Sequence, residues 1–332
     1  VTAASTVADL GERALIRRIT ARLAHRPWVI VGPGDDAAVI EPERGTLDVV
    51  TTDALVEGVH FDRRFSPPGA IGHKALAVNL SDLAAMGAAP RAALLSLALP
   101  DALAVSDVDG LLDGLLSVAD RYRVAIVGGN ITRSPGPLVV DVTAIGSVGR
   151  RRVLTRAGAR PGDEVYVTGR IGAGAAGLQA FRDGREEPAA QQRYIAPDPR
   201  VRAGMLLGRN RAATACIDLS DGLADGLRHL AEASGVGIAI EEAELPVDEA
   251  VLRRFTQNRE EAVREAVSGG DDYELLFTSR PAQRGRLRGV RRLLGDLPIT
   301  RIGVVTKERK IVLKASGAER PLPDGFEHFR DS

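Results

Sequence analysis

At 332 residues, 44% of them hydrophobic, the chain can bury a core large enough for two domains. Its 44 basic and 44 acidic residues cancel, leaving no charge excess to draw a nucleic acid or other polyanion; the lysines are Lys74, Lys307, Lys310 and Lys314, and the many scattered arginines read as compositional bias. Cys216 is the only cysteine, which excludes an intrachain disulfide; no apolar run reaches the roughly 18 residues of a membrane span, and the first residues, with Asp9, Glu12 and several arginines, do not read as a secretory core, so a cytoplasmic protein is expected.

The elements are read in chain order from periodicity and punctuation. Asp9-Leu10-Gly11-Glu12 looks like a capping box, and Leu10, Ala14, Leu15, Ile19 and Leu23 recur at helical spacing, which predicts a first helix over 9–24. Strands are expected at 37–40 and 47–51, a long buried helix at 69–86 carrying Lys74, Asn79 and Asp82, strands at 92–99 and 124–128 flanking a helix at 106–121, and a longer strand at 138–148. The polar break Gly149-Arg150-Arg151-Arg152 places a domain boundary between 149 and 150. Beyond it the order is strand 164–168, helix 172–183, a Pro-rich connection through Pro197 and Pro199, strand 213–218, helix 221–234, strand 236–240, helix, strand 274–278, helix and two closing strands. That mixture argues for an α+β protein with α/β layers.

Five short acidic segments stand among glycines or small residues: Gly34-Asp35-Asp36, Thr51-Thr52-Asp53, Asn79-Leu80-Ser81-Asp82, Asp218-Leu219-Ser220-Asp221-Gly222 and Gly269-Gly270-Asp271-Asp272. Gly128-Gly129-Asn130 stands where a sixth acid would fit. Two carboxylates about 4 Å apart cost about 4 kcal/mol at an effective dielectric near 20, so a cleft that gathers several needs cations. Oxygen ligands without thiols or paired histidines select Mg²⁺ or Ca²⁺, and Mg²⁺ commonly bridges carboxylates to substrate phosphates. Taken singly, each segment is ordinary turn or cap chemistry; their number, and the hydroxyls of Thr51, Thr52, Ser81 and Ser220 beside them, favour a site. Asp221-Gly222 also opens a helix, whose first amides suit phosphate.

Gly172-Ala173-Gly174-Ala175-Ala176-Gly177 follows a strand and spells G-x-G-x-x-G, but no acid stands about 20 residues on to hold a ribose, so close helix packing is the preferred reading over a dinucleotide site. His60 is the histidine that adjoins an acidic segment, and Arg156 is one arginine among many; position alone gives neither a role. Cys216 reads as a small core residue.

In order and spelling, the stretches Gly34–Ala38, Thr51–Phe61, Lys74–Ala88, Ile217–Gly222 and Ser268–Leu275 resemble the thiamine-monophosphate kinase family, of the superfamily that includes aminoimidazole ribonucleotide synthetase. The resemblance runs from the first helix to Phe326-Glu327-His328-Phe329. It implies ATP-dependent phosphorylation of thiamine monophosphate to thiamine diphosphate, in a homodimer whose N-terminal mixed sheets join. It also implies residues 1–149 as an ATP- and Mg²⁺-binding and dimerisation domain, and 150–332 as an α/β domain closing the cleft. By resemblance, Asp36, Thr51, Thr52, Asp53, Asp82, Asn130, Asp218 and Asp221 hold several magnesium ions, Gly129, Asn130, Arg156 and Ser220 lie near ATP, and His60, Asp271 and Phe326 contact the acceptor.

Three positions depart from the family pattern. Asn130 replaces an aspartate, which removes one charge but keeps a carbonyl oxygen. Asp271 stands where Glu is usual, and Phe326 where Tyr or Trp is frequent. Within the superfamily, selenophosphate synthetases and hydrogenase-maturation proteins are disfavoured by the lack of their characteristic cysteines. A non-catalytic Mg-nucleotide-binding homologue stays open through Asn130. The acceptor's phosphate is already ionised at neutral pH, so no nucleophile or general base is assigned.

Overall fold

The computed structural model describes residues 5–315, 318–323 and 325, and divides into two compact units, residues 1–83 with 89–150 and residues 84–88 with 151–332. Phe326 lies outside the described residues. No described helix is long and apolar enough to cross a membrane.

The first unit begins with two short helices, α1 (Val7–Leu10) and α2 (Glu12–Thr20), where one was expected. Gly11 separates them at φ +76, and the capping box lies upstream of the expected one: the Thr6 hydroxyl accepts from Asp9 N–H while the Asp9 carboxylate accepts from Thr6 N–H. Strands β1 (Val29–Val31) and β2 (Val39–Ile40) pair antiparallel around the loop that holds Gly34-Asp35-Asp36. Strand β3 (Thr46–Val56) leads through α3 (Pro68–Ala85) to β4 (Ala89–Pro100), then α4 (Val105–Tyr122), β5 (Ala125–Ser134) and β6 (Val139–Gly149).

These strands form a four-stranded mixed sheet in the order β3-β6-β4-β5, with β4 and β5 parallel across the α4 crossover. Helix α4 turns Val108, Leu111, Leu112, Leu115 and Val118 inward at helical spacing. In α3 the buried set runs almost all round, with Ala75, Leu76, Leu80 and Leu83 covered and even Lys74 only 2% exposed. Val29 of β1 packs with Ala92, Ala125 and Val127 of the sheet, joined by Trp28, Ala38 and Ile40. That cluster seats the β1–β2 loop on the sheet.

In the second unit β7 (Glu164–Thr168) is followed by α5 (Ala173–Asp183), α6 (Pro188–Ile195) and α7 (Val201–Asn210). The latter two occupy the segment read as a Pro-rich connection: Pro188 stands at the first position of α6, where its missing N–H costs nothing. Then come β8 (Ala215–Asp218), α8 (Leu223–Ser234), β9 (Gly237–Glu241), α9 (Glu249–Arg254), α10 (Arg259–Ser268), β10 (Leu275–Ser279), α11 (Arg284–Leu294), β11 (Ile299–Thr306), β12 (Ile311–Ala315) and β13 (Ala318–Pro321). The seven-stranded sheet runs β13-β12-β9-β11-β7-β10-β8, antiparallel except between β12 and β9.

Alternation sorts its two faces. Val165, Val167, Ile217 and Leu276 share a core with Ala176 of α5, Leu223, Leu227 and Leu230 of α8, Val251 of α9 and Val263 of α10. Tyr166 and Phe277 stack at 5.4 Å, and Arg291 of α11 lies over the Tyr166 ring. The arginines are less evenly scattered than composition suggests, since Arg284, Arg286, Arg288, Arg291 and Arg292 all fall on α11. Arg284 and Arg301 both pair with the buried Glu164 carboxylate and hold it down to a pKa of about 2.

Candidate active site

In the first unit, the β1–β2 loop and β5 line one cleft of about 630 Å³, which brings Asp36 together with Gly129 and Asn130. Apolar side chains including Leu94, Ile126 and Ile145 complete its wall. Asp35 turns back on the loop and accepts from the Asp36 N–H at 2.8 Å, while Asp36 is exposed. Gly129 lies so close to β4 that a Cβ there would sit 1.8 Å from the Leu95 carbonyl oxygen. The approach follows a bulge, since Ala93 pairs with Ile126 but Leu94 with Gly128. Asn130, opposite Ser96, is exposed.

Thr51 and Asp53 share one face of β3, and Thr51 donates its hydroxyl to the Asp82 carboxylate on α3. Thr52 points to the other face, where its hydroxyl reaches Asp141 Oδ1 at 3.2 Å and Thr143 Oγ1 at 3.0 Å. The expected ligand set therefore divides between two faces of β3. Asp141, an acid set between valines in an alternating strand, is the carboxylate that Thr52 meets. His60 stands beyond the end of β3, where its Nδ1 accepts from Val56 N–H at 3.1 Å and Lys74 Nζ donates to its carbonyl at 3.3 Å.

In the second unit, β8 ends at Asp218 directly opposite Leu275, the first residue of β10. The loops that follow β8 and precede β10 are consequently zipped together: Asp271 N–H donates to Ser220 O at 2.7 Å, Tyr273 N–H to Leu219 O at 2.8 Å and Leu219 N–H to Glu274 O at 2.9 Å. This brings Asp218, Ser220, Asp221 and Asp271 to one end of the sheet. Asp218 is 6% exposed; the Ser220 hydroxyl lies 3.3 Å from Asp221 Oδ2. Arg156 is exposed on the loop whose Thr155 carbonyl accepts from Cys216 N–H at 2.8 Å, beside β8. Burial pushes the Cys216 thiol up, as fits an inert core residue.

The three acids after Gly270 have different fates. Asp272 is fully buried and accepts from Gly172 N–H at 2.7 Å and Gly174 N–H at 3.3 Å; burial pushes its carboxyl up to about 8 against these two donors. The G-x-G-x-x-G amides thus already hold an internal acid, and a Cβ at Gly174 would lie 2.4 Å from the Asp271 carbonyl oxygen, which explains those small residues by packing. Glu274 is buried against Arg193 and Arg200. Asp271 alone of the three is not buried.

No group of three or more His, Cys, Asp or Glu side chains gathers tightly enough to cage a metal among the described residues. The hard oxygens instead come in smaller sets: the Thr51 hydroxyl with the Asp82 carboxylate in the first unit, and the Ser220 hydroxyl beside Asp221 in the second. Such sets suit an ion that takes one or two carboxylates and completes its shell with waters and phosphates.

Residues 34–148 match the family described as AIR synthase related protein, N-terminal domain, and residues 160–316 match its C-terminal domain. The chain is 38% identical over 326 residues to the thiamine-monophosphate kinase of Bacillus subtilis, covering 95% of this chain and 98% of that one. A crystal structure of thiamine-monophosphate kinase from Stenotrophomonas maltophilia K279a superposes with a TM-score of 0.80 at 38% identity, over 91% of this chain and 95% of that one. A second structure, described as AaThiL complexed with AMPPCP and TMP, gives a TM-score of 0.75 at 34% identity over 99% and 100%. With identity at this level over nearly the whole length, the chain belongs to the thiamine-monophosphate kinase family.

Proposed function

We propose that the chain transfers the γ-phosphoryl group of ATP to thiamine monophosphate, giving thiamine diphosphate and ADP, the last step in making the diphosphate. The observation that carries this reading is the end-to-end match to thiamine-monophosphate kinases, supported by a relative solved with AMPPCP and TMP. Both reactants are anions, so the work of the protein is to position them and offset charge.

The first-unit cleft is assigned to ATP, with Gly129 and Asn130 presenting backbone and amide to the nucleotide; Arg156 and Ser220 are proposed as nucleotide contacts by the family resemblance alone. Its apolar wall suits a base and its acidic loop suits a metal-bound phosphate chain. Asp36, Thr51, Thr52, Asp53, Asp82, Asn130, Asp218 and Asp221 are proposed as the Mg²⁺ ligands, by the fit of hard oxygen donors to a phosphate-bridging cation. When bound, Mg²⁺ neutralises charge on the transferring phosphoryl group. His60 and Asp271 are assigned to the acceptor, as is Phe326.

A homodimer and a cytoplasmic location complete the proposal. Strand β3 is an edge of its sheet, and its outer face carries Asp48, Thr52, Ala54 and Val50, the last 63% exposed. A second copy pairing along this edge would satisfy its free backbone groups and extend the sheet.

The deciding measurement is ADP release, coupled to detection of thiamine diphosphate, across thiamine monophosphate, free thiamine and an aminoimidazole precursor. Turnover with thiamine monophosphate alone is expected. Turnover only with another acceptor would overturn the assignment, and Mg-ATP binding without any turnover would establish the non-catalytic reading that Asn130 keeps open.

A further inference from the structure

The loop bearing Asp271 holds two non-glycine residues in left-handed backbone, Asp271 at φ 65 and Tyr273 at φ 51. Such a backbone is unfavourable for a residue with a Cβ and persists only where its surroundings over-determine it. The peptide carbonyl between them, that of Asp272, accepts from Arg193 Nη2 at 3.0 Å. The same nitrogen donates to Glu274 Oε1 at 2.9 Å.

Glu274 is 1% exposed and anchored independently of Arg193. Arg200 grips it in a bidentate fork, with Nε donating to Oε2 at 2.6 Å and Nη2 to Oε1, and Thr168 Oγ1 donates to Oε2 at 2.6 Å. Arg200 also pairs with Asp198, so it belongs to the anchor. Arg193, reaching across from α6, links that anchor to the loop backbone. Tyr273 in turn donates its hydroxyl to Asp271 Oδ1 at 3.0 Å, so the backbone turn that Arg193 clamps also aims the Asp271 carboxylate.

We infer that Arg193, backed by Glu274, is a positioning residue that sets Asp271 for the acceptor. The inference rests on the assignment of Asp271 to thiamine monophosphate made above. Because Arg200 and Thr168 remain on Glu274, removing the Arg193 side chain does not strand a buried charge.

The experiment compares wild type with Arg193→Ala and Arg193→Lys by steady-state kinetics in both substrates and by thermal melting. Arg193→Ala is expected to raise the KM for thiamine monophosphate about tenfold, with the KM for ATP within about twofold, as a misplaced contact and not a lost one. Arg193→Lys keeps a cation and one donor and is expected to recover part of that loss; it carries the same comparison should the alanine variant not fold. A lowered Tm with both KM values and kcat unchanged would reduce Arg193 to a stabilising contact and overturn the inference, as would an equal rise in the KM for ATP. Wild-type failure to form thiamine diphosphate would instead overturn the assigned reaction, so the two failures are distinct.

Discussion

Asp272 accepts the backbone N–H of Gly172 at 2.7 Å, joining positions a hundred residues apart and placing a buried carboxyl group at the start of α5. A G-x-G-x-x-G turn that already holds an acid has no room for a pyrophosphate, so no NAD binding is expected by titration calorimetry. Asp272→Ala leaves two buried N–H groups without their acceptor and should cost about 2 kcal/mol in denaturant unfolding. Unchanged stability would show that the cap contributes nothing.

Asp82→Asn keeps an acceptor for the Thr51 hydroxyl but removes the charge. Stability without nucleotide should therefore change by less than about 1 kcal/mol. The rise in Tm that Mg-ATP produces should shrink, and turnover should be lost. Wild-type turnover in this variant would remove Asp82 from the metal ligands.

His60 is held by Val56 and Lys74 at the end of the strand that carries Asp53. Replacing it with alanine should raise the KM for thiamine monophosphate more than the KM for ATP. The reverse ranking would move His60 to the nucleotide.

Asn130 lines the cleft as an exposed residue on β5 and supplies an amide oxygen without a carboxylate's charge. Asn130→Asp should lower the Mg²⁺ concentration for half-maximal rate while leaving the KM for thiamine monophosphate nearly constant. An unaltered Mg²⁺ dependence would show that residue 130 is no ligand.

Glu164 has a folded-state pKa of about 2, below the ordinary value of 4.5, because Arg284 bonds it first and Tyr166 and Arg301 add to the effect. A depressed carboxylate stabilises the fold above its unfolded pKa and loses that stabilisation as pH falls from about 4.5 through about 2. Glu164→Gln should cost about 2 kcal/mol at neutral pH, allowing for the solvent-exposed arginine partners, and the gap from wild type should close across that acid window. A gap that stays constant with pH would assign the loss to packing.

Much of the order of elements was legible because it is written in local periodicity: β7 has its expected bounds, and α4 and the long α3 differ by a residue at each end. Local signals failed where two readings share a spelling. Pro188 and Pro199 introduce helices as readily as they interrupt them, and Gly11 ended a helix that the apolar spacing ran through. The acidic segments were visible as chemistry in the sequence, but their division was not. Thr51 meets Asp82 across 31 positions, Thr52 faces away toward Asp141, and of Asp271, Asp272 and Glu274 two are consumed inside the fold. Strand pairing and helix docking decide which carboxylate meets solvent and which meets an amide or a guanidinium. Those are long-range contacts, and the residue types on either side carry no record of their partner.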